Sequence, residues 1–275
     1  MIKKACLKRK KMESCGKGAG TAVLGALLLL FLSAIPSATA SSSEQASPLP
    51  KAESVLDSFV EKCGGRAVFD KIDNRHTTST MTLSVFPAPA EVTTTVTRQG
   101  AFRCIVSSPA FGRIEYGSDG QTVWEIVPMT GPRIKEGLER SRFRALYGLD
   151  LPMRWRDVFK KVDVSGLDAV EEKPAYKLTA VTPEDYPITY YFDQASGLLV
   201  KILYPMETVT GQGIQEIVLS DYRNVGGILF PFLQIRKESG REMKLAFAAV
   251  EFNVDVPVGT FALPEPILKI RKSGI

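Results

Sequence analysis

Few residues in this chain have the types and spacing that catalysis or metal binding requires. The 275 residues include a single histidine, His76, at the entrance to a predicted strand. A Ser-His-Asp or Cys-His system would depend on it, and no Gly-x-Ser-x-Gly motif is present. Of the four cysteines, Cys6 and Cys15 lie in the first forty residues. One histidine and the two remaining, widely separated cysteines, Cys63 and Cys104, lack the spacing of a zinc or iron site. The sequence therefore predicts no catalytic residue, no metal site and no cofactor.

Paired carboxylates are the hydrolytic chemistry that is hardest to exclude, because the partners need only be close in space. The acidic candidates on predicted strands are Glu115, Glu125, Asp193 and Asp221. No spacing in the sequence brings two of them together, so solvent-facing strand positions are the better interpretation. We therefore expect a protein that is not an enzyme.

The positive charge of the chain is concentrated in its first forty residues. The formal net charge is +5, and the first forty residues contain seven basic side chains against the single acid Glu13. The rest of the chain has a net charge of −1. Without an overall basic excess, a phosphate-binding face would have to come from local clustering alone. We therefore expect no nucleic-acid partner.

The first forty residues have the layout of an export signal. A basic start precedes an apolar stretch at 21–35 and the small-residue tripeptide Ala38-Thr39-Ala40. An uncleaved anchor is the alternative, but the stretch of about 15 apolar residues is shorter than the roughly 20 that span a bilayer. We predict a cleaved signal peptide at 1–40, a flexible linker at 41–51, a single domain at 52–275 and a periplasmic location.

Helical periodicity is confined to the start of the predicted domain and to one insert. Residues 52–63 carry apolar side chains along one helix stripe, and the following Gly64-Gly65 ends the helix. A second short helix is predicted at 66–72. A helical insert at 131–161 should hold two further short helices. These amphipathic helices need an apolar surface on which to pack.

Elsewhere apolar residues alternate with a period of two, which is typical of strands with one buried face. The breaks between these segments are short and rich in Gly, Pro and Asp, so neighbouring strands should be antiparallel. The predicted strands, about eleven in number, are 80–85, 91–98, 101–107, 113–116, 122–127, 176–181, 188–193, 198–203, 214–222, 229–237 and 242–253.

The predicted fold class is mainly β, of α+β type. A sheet of about eleven antiparallel strands twists too strongly to remain flat, so it should curve into an incomplete β-barrel. The helices are then available to cover the concave face of this sheet.

Alternation also predicts which side chains face the concave side. A ligand cavity there would be lined by Met81, Leu83, Val85, Phe102, Trp124, Ile126, Leu178, Tyr190 and Phe192. Two interpretations remain open, because lining and core residues are of the same types. The helices fill the space as an ordinary core, or an acyl chain shares it. Arginines in the helical insert could hold phosphate head groups or form a solvated helix face: Arg133, Arg140, Arg142, Arg144, Arg154 and Arg156.

Five segments in chain order carry a recognisable set of features: 53–74, 117–131, 190–202, 219–236 and 250–264. The features are a helix that ends in Gly-Gly, an Asp-Gly turn before Trp124, a Tyr-Phe-Asp-x-x-x-Gly-Leu hairpin and Asp-Tyr-Arg-x-Val-x-Gly-Ile-x-x-Pro. In this order they resemble the LolA-like outer-membrane lipoprotein-sorting proteins. The resemblance implies an incomplete barrel with a lidded apolar cavity, and carriage of acylated lipoproteins or lipids across the periplasm. It implies no catalytic residues.

The expected function is that of a non-enzymatic periplasmic carrier or binding protein for acyl chains. Its partners would be an acylated lipoprotein or lipid and membrane-bound donor and acceptor proteins, and we expect a monomer. The alternative is a periplasmic sensor or protein-interaction module on the same fold, in which the apolar face is only a core. Cys63 and Cys104 remain after signal cleavage, either joined in one disulfide or buried as free thiols.

Overall fold

Thirteen antiparallel strands form one sheet in the computed structural model, which describes residues 48–85, 88–208 and 211–273. The predicted signal peptide, 1–40, and most of the predicted linker, 41–51, lie outside these ranges. The strands are β1 Asn74–Leu83, β2 Ala90–Thr97, β3 Ala101–Ser108, β4 Gly112–Asp119, β5 Val123–Val127, β6 Gly131–Lys135, β7 Lys161–Val170, β8 Lys173–Val181, β9 Pro187–Asp193, β10 Leu199–Thr208, β11 Gly211–Val225, β12 Ile228–Glu238 and β13 Arg241–Phe252. The helices are α1 Ala52–Lys62, α2 Arg66–Phe69, α3 Gly137–Leu146, α4 Trp155–Val158 and α5 Glu265–Ser273, with a 3-10 turn at Leu151–Arg154.

The sheet consists of two meanders that join through β1 and β13. Its strand order is β6-β5-β4-β3-β2-β1-β13-β12-β11-β10-β9-β8-β7. Short hairpins connect the strands within each meander, as the turn-rich breaks in the sequence predict. β6 and β7 lie at opposite edges of the sheet, and the chain passes between these edges through α3, the 3-10 turn and α4. The connection between the meanders therefore runs across one face of the sheet.

The contacts of α3 show that the sheet is strongly curved. This helix touches both β5 and β10, which are eight positions apart in the strand order. In a flat sheet, eight strand spacings of ~4.8 Å would separate these strands by about 38 Å. The ten residues of α3 span only about 15 Å. The sheet must wrap around α3, which confirms the predicted open half-barrel with helices on its concave face. We call this the inner face.

α1 covers another part of the inner face. Its buried residues include Leu56 and Phe59, and the Phe59 ring lies 5.2 Å from that of Phe192 on β9. A fully buried Leu or Phe side chain contributes about 2 kcal/mol relative to an exposed one. The helix α4 is fastened to α1, because both terminal nitrogens of Arg156 on α4 donate to the carboxylate of Asp57 on α1 at 2.6 Å. The Arg156 hydrogen bonds hold the pKa of Asp57 below its ordinary value.

Gly64 allows the end of α1 to approach the β11–β12 hairpin. Its φ is +117°, and a Cβ atom at this position would lie 2.1 Å from the carbonyl oxygen of Gly227. The adjacent Cys63 carbonyl accepts a hydrogen bond from the backbone N–H of Leu229 at 3.1 Å. Only glycine combines this backbone conformation with such a close approach. The Gly-Gly end of the predicted helix is thus also a packing point.

A buried charge cluster joins α3 to β5 and β6. The ammonium group of Lys135, with its side chain 1% exposed, lies 2.7 Å from Glu125 Oε2 and 2.6 Å from Glu139 Oε1. The same nitrogen lies 4.2 Å from the ring centre of Phe143. Arg133, which is half exposed, binds both carboxylates from the solvent side. The cluster places α3 relative to the edge of the sheet.

Three elements differ from the sequence prediction. The helical insert predicted at 131–161 begins with a strand, β6. Pro132 and two basic residues in this strand hide its alternation in the sequence. β7 was missed because a bulge between Val164 and Gly166 interrupts its alternation. The helix α5 was also missed; it packs against β6 through Ile267, which is fully buried. Among the described residues, none of the helices has the length and apolar character needed to cross a bilayer.

Candidate ligand cavity

A cavity of about 150 Å³ lies between the inner face and the segment that follows α3. This segment, residues 147–153, is called the covering segment; the last two residues of α3, Ala145 and Leu146, also line the cavity. The facing wall is formed by strands β1, β2 and β9–β13, and Phe59 and Cys63 close one side. The aliphatic part of this wall consists of Val96, Leu199, Ile202, Ile217, Leu219, Ile228, Leu229 and Leu245.

Aromatic contacts hold the covering segment to the sheet. The ring of Tyr147 stacks on Phe102 of β3 with ring centres 4.6 Å apart. It also lies 5.9 Å from Phe143 and 6.4 Å from Tyr116. Such pairs contribute about 1 kcal/mol beyond their buried area. The residue that begins the segment is therefore firmly placed.

An ion pair fastens the middle of the covering segment to β1. Asp150, which has a left-handed backbone with φ +41°, binds the guanidinium group of Arg75. Both side chains are largely buried, and Arg75 lies 4.9 Å from the ring centre of Phe230. Arg75 Nε and Asp150 Oδ2 have no hydrogen-bond partner within the described ranges. Because a buried ion pair with unsatisfied atoms gains little over its desolvation, this contact holds the segment only weakly.

Two further polar groups reach the cavity wall. The hydroxyl group of Tyr190 is buried and finds no hydrogen-bond partner among the residues that the structure describes. Arg236 on β12 donates from Nη2 to the side-chain oxygen of Gln234 at 3.1 Å. Both residues line the cavity. Thr77, Ser79, Thr94 and Gln234 also line the cavity, so its wall is mainly apolar but carries several hydrogen-bonding groups on β1, β2 and β12.

The nine residues predicted to line a cavity fall into three groups. Tyr190 lines it. Five others lie on the inner face in packed clusters beside it: Met81, Leu83, Phe102, Leu178 and Phe192. Val85 lies beyond the end of β1 and is 60% exposed, while Trp124 and Ile126 lie on the opposite face of the sheet.

The strand register corrects the predicted orientation of Trp124 and Ile126. Trp124 is opposite Gly117, which in turn is opposite Arg103, so all three share the outer face. The guanidinium group of Arg103 lies 4.8 Å from the centre of the Trp124 ring. On β5 the inner positions belong to Val123 and Glu125. Glu125 can occupy such a position because Lys135 neutralises it.

The predicted arginine face does not border the cavity. Arg133, Arg142, Arg144 and Arg156 each bind an acidic side chain. Arg154 donates to the backbone carbonyl of Arg98 at 3.0 Å. None of the six insert arginines, all within the described ranges, belongs to the cavity wall. The cationic lining residues, Arg75 and Arg236, lie on strands and have no helical pattern that could have revealed them.

The groups considered for catalysis are dispersed. His76 Nδ1 lies 2.8 Å from the Thr95 hydroxyl on the outer face. Glu115 binds Arg103 and Arg113 on the outer face, whereas Glu125 is on the inner face. Asp193 accepts hydrogen bonds from Ser196, which hold its pKa below the ordinary value. Asp221 binds Arg223. Across the described ranges, no three His, Cys, Asp or Glu side chains form a cluster that could hold a metal ion.

Cys63 and Cys104 are both buried and free. Of the two alternatives, a disulfide bond or two buried thiols, the structure therefore has the buried thiols. Burial, with a contribution from Asp150, raises the pKa of the Cys63 thiol to about 12, and burial also raises that of Cys104. At pH 8 only about one Cys63 thiol in ten thousand is then ionised. We predict that a water-soluble thiol reagent labels neither residue rapidly in the native protein.

The control is to label the protein after it has been denatured in guanidinium chloride without a reductant. Both cysteines should then react, and peptide mass spectrometry should locate the label on each of them. Fast labelling of the native protein, or failure to label after denaturation, would contradict the buried free thiols.

Comparisons with known proteins identify the fold. No family model matches the sequence, and none of the curated proteins matches it. Among solved structures, it is similar to a LolA superfamily protein from Nitrosomonas europaea, with a TM-score of 0.53 and 13% identity over 78% of this chain and 99% of that one. It is also similar to a protein domain from Vibrio parahaemolyticus named for outer membrane lipoprotein sorting, with a TM-score of 0.51 and 11% identity over 77% and 97% of the chains. The chain therefore has a LolA-like fold, as its resemblance in sequence implied.

Proposed function

We propose that this LolA-like half-barrel is an exported, non-enzymatic carrier or binding protein for the acyl chains of lipoproteins or lipids. The observation that carries the proposal is the apolar cavity between the inner face and the covering segment. Most of its lining residues are aliphatic or aromatic, and the polar residues among them can orient a ligand. Burial of an acyl chain there would supply about 0.8 kcal/mol for each methylene group.

Binding of a whole acyl chain requires the covering segment to move. An engineered protein cavity of about 150 Å³ holds one benzene molecule. The cavity described here has the same volume, so as it stands it takes only a short part of a chain. The covering segment is the part of the wall that can yield, because its contact through Asp150 and Arg75 leaves polar atoms unsatisfied. Release would use the same movement in reverse.

The predicted leader and the similar structures support a periplasmic setting for the proposed carrier. The predicted signal peptide at 1–40 would place the mature protein in the periplasm. The Vibrio parahaemolyticus domain is named for lipoprotein sorting at the outer membrane, and the same role here requires a donor and an acceptor at the membranes. These partners would be membrane-bound proteins, and the carrier would act as a monomer.

A sensor or protein-interaction module is the second candidate, and the small size of the cavity favours it. If the interior is essentially filled, the inner face is a core and the function resides on the surface. The fold alone does not choose between a carrier and such a module.

The deciding experiment is native purification from the periplasm of an expression host, followed by mass spectrometry of the bound lipids. A carrier should retain lipid or acylated peptide at near-stoichiometric amounts, and after delipidation it should take up a fluorescent fatty acid. A ligand-free protein that also fails to take up the fatty acid would refute the carrier and support the interaction module.

A further inference from the structure

The positive and negative charges of the cavity wall do not balance. Three charged residues line the cavity: Arg75, Asp150 and Arg236. Arg75 and Asp150 bind each other. No carboxylate lies within ion-pair distance of Arg236 among the residues described, and its recorded side-chain partner is the neutral Gln234. The wall therefore has one positive charge in excess.

Groups around Arg236 do not neutralise it. Glu238, two residues further along β12, is already engaged by Gln215 at 2.7 Å and by Arg142 at 3.7 Å. Arg236 also lies close enough to Tyr147, Tyr204 and Cys104 to influence their ionisation. Burial raises the pKa of all three groups, so they are uncharged at neutral pH.

The unmatched guanidinium group belongs to a residue of the cavity wall and has free bonding capacity. Its Nε atom is buried and has no hydrogen-bond partner among the described residues. Arg236 is half-buried, so its guanidinium group has lost part of its hydration without gaining a counter-charge. A guanidinium group presents several N–H donors in a planar fork that fits a carboxylate or phosphate group. An anionic ligand group would satisfy both the charge and the donor.

We infer that the cavity takes an anionic amphiphile, with its acidic head group bound by Arg236 and its chain along the aliphatic wall of β10 and β11. This inference rests on the proposed acyl-chain binding and specifies the ligand class. The acidic head is a carboxylate, as in a fatty acid, or a phosphate, as in a phospholipid. Arg236 acts as a specificity-determining residue, because an uncharged amphiphile of equal length gains the apolar contacts without this interaction.

Ligands of one chain length test the inference. Decanoic acid, decyl phosphate and decanol are titrated calorimetrically into the delipidated protein at neutral pH. We expect at least one of the two acids to bind roughly tenfold or more tightly than decanol, since a charge-assisted hydrogen bond contributes that much. Tighter binding of decyl phosphate assigns a phosphate head, and tighter binding of decanoic acid assigns a carboxylate head.

Variants of Arg236 separate charge from shape. Arg236→Met should remove the preference for the acid while leaving the affinity for decanol within about threefold, and Arg236→Lys should retain part of the preference. Arg223→Met is the matched control, because Arg223 is exposed and binds Asp221 away from the cavity. It should leave the affinity for every ligand unchanged. Thermal unfolding confirms that each variant is folded.

The possible failures are distinct. Equal affinity of the wild-type protein for decanol and both acids, or a preference that survives in Arg236→Met, would overturn the anionic ligand class while acyl-chain binding stands. Binding of none of the three amphiphiles would overturn the proposed function itself.

Discussion

A Leu219→Trp variant should bind fatty acid at least roughly fifty-fold more weakly than the wild-type protein. Leu219 is buried on β11 and forms part of the cavity wall. A Trp side chain there would occupy space that about three methylene groups of the ligand need. The loss of their burial, about 2.4 kcal/mol, corresponds to that factor in Kd. Fluorescence titration of a labelled fatty acid into the delipidated variant measures the change.

The matched control is the same substitution on the other face of the sheet. Leu203 on β10 packs in the small outer cluster of Tyr191, Val170 and Ala175, and it does not line the cavity. Leu203→Trp should leave the affinity within about threefold of wild type. Overpacking commonly destabilises a protein by about 1–3 kcal/mol, so thermal unfolding must show that both variants are folded. A folded Leu219→Trp protein with unchanged affinity would place the ligand elsewhere.

This comparison also separates the two candidate functions. A carrier must lose its activity when the cavity is filled, because the cavity is where the acyl chain lies. An interaction module should tolerate a folded Leu219→Trp variant, since its function depends on surface residues. The internal substitution is therefore informative even before a lipid or partner is identified.

The architecture could be predicted from the sequence because its signals are local. Period-two alternation, short turns and the Gly64-Gly65 helix end each depend on a few neighbouring residues. Together they predicted an antiparallel sheet too large to remain flat. The two missed strands lie at the sheet edges, where β6 and β7 lack a partner on one side. Edge strands commonly carry charges, proline or bulges that oppose further pairing, and these features obscure the alternation.

The cavity was less predictable, because its wall depends on contacts between distant segments. Alternation alone cannot state which of two neighbouring residues points inward, and the alternation of Trp124 with Ile126 fits either face of the sheet. The register places Glu125 inward instead. Lys135 ends β6 and Glu139 lies in the first turn of α3, and their ion pair brings the ammonium group to Glu125 as its counter-charge. Arg75 and Arg236 gave no clue in the sequence, since each lies on an otherwise ordinary strand.

Loss of the Lys135 ammonium group from the buried charge cluster with Glu125 and Glu139 should strongly destabilise the protein. Lys135→Met removes the ammonium group but keeps a side chain of similar length against Phe143. Glu125, with its side chain 9% exposed, then keeps only Arg133 as a partner. Removal of one member of a buried ionic cluster costs about 3 kcal/mol or more, because the remaining charge stays desolvated. We expect the free energy of unfolding, measured in urea at pH 7, to fall by about 3 kcal/mol.

Arg133→Met is the control for this variant, because it removes the cation on the solvent side of the same two carboxylates. The Arg133 side chain is 52% exposed, and an exposed ion pair contributes about 1 kcal/mol or less. Equal losses for the two variants would show that burial of Lys135 does not set the cost.

The loss of stability caused by Lys135→Met should depend on pH, because Lys135 lowers the pKa of Glu139. Burial raises its pKa, but the hydrogen bond and charge of Lys135, aided by Arg133, lower it below its ordinary value of 4.5 overall. A carboxyl group with a lowered pKa in the folded state stabilises the protein at neutral pH, and this contribution is lost as the pH falls through 4.5 and below. The Lys135→Met variant lacks most of that contribution at any pH. The difference in unfolding free energy between wild type and variant should therefore be largest near pH 7 and shrink towards pH 3. A difference that stays constant over this range would assign the loss to packing around Phe143, and α3 would then be held to the sheet by apolar contacts alone.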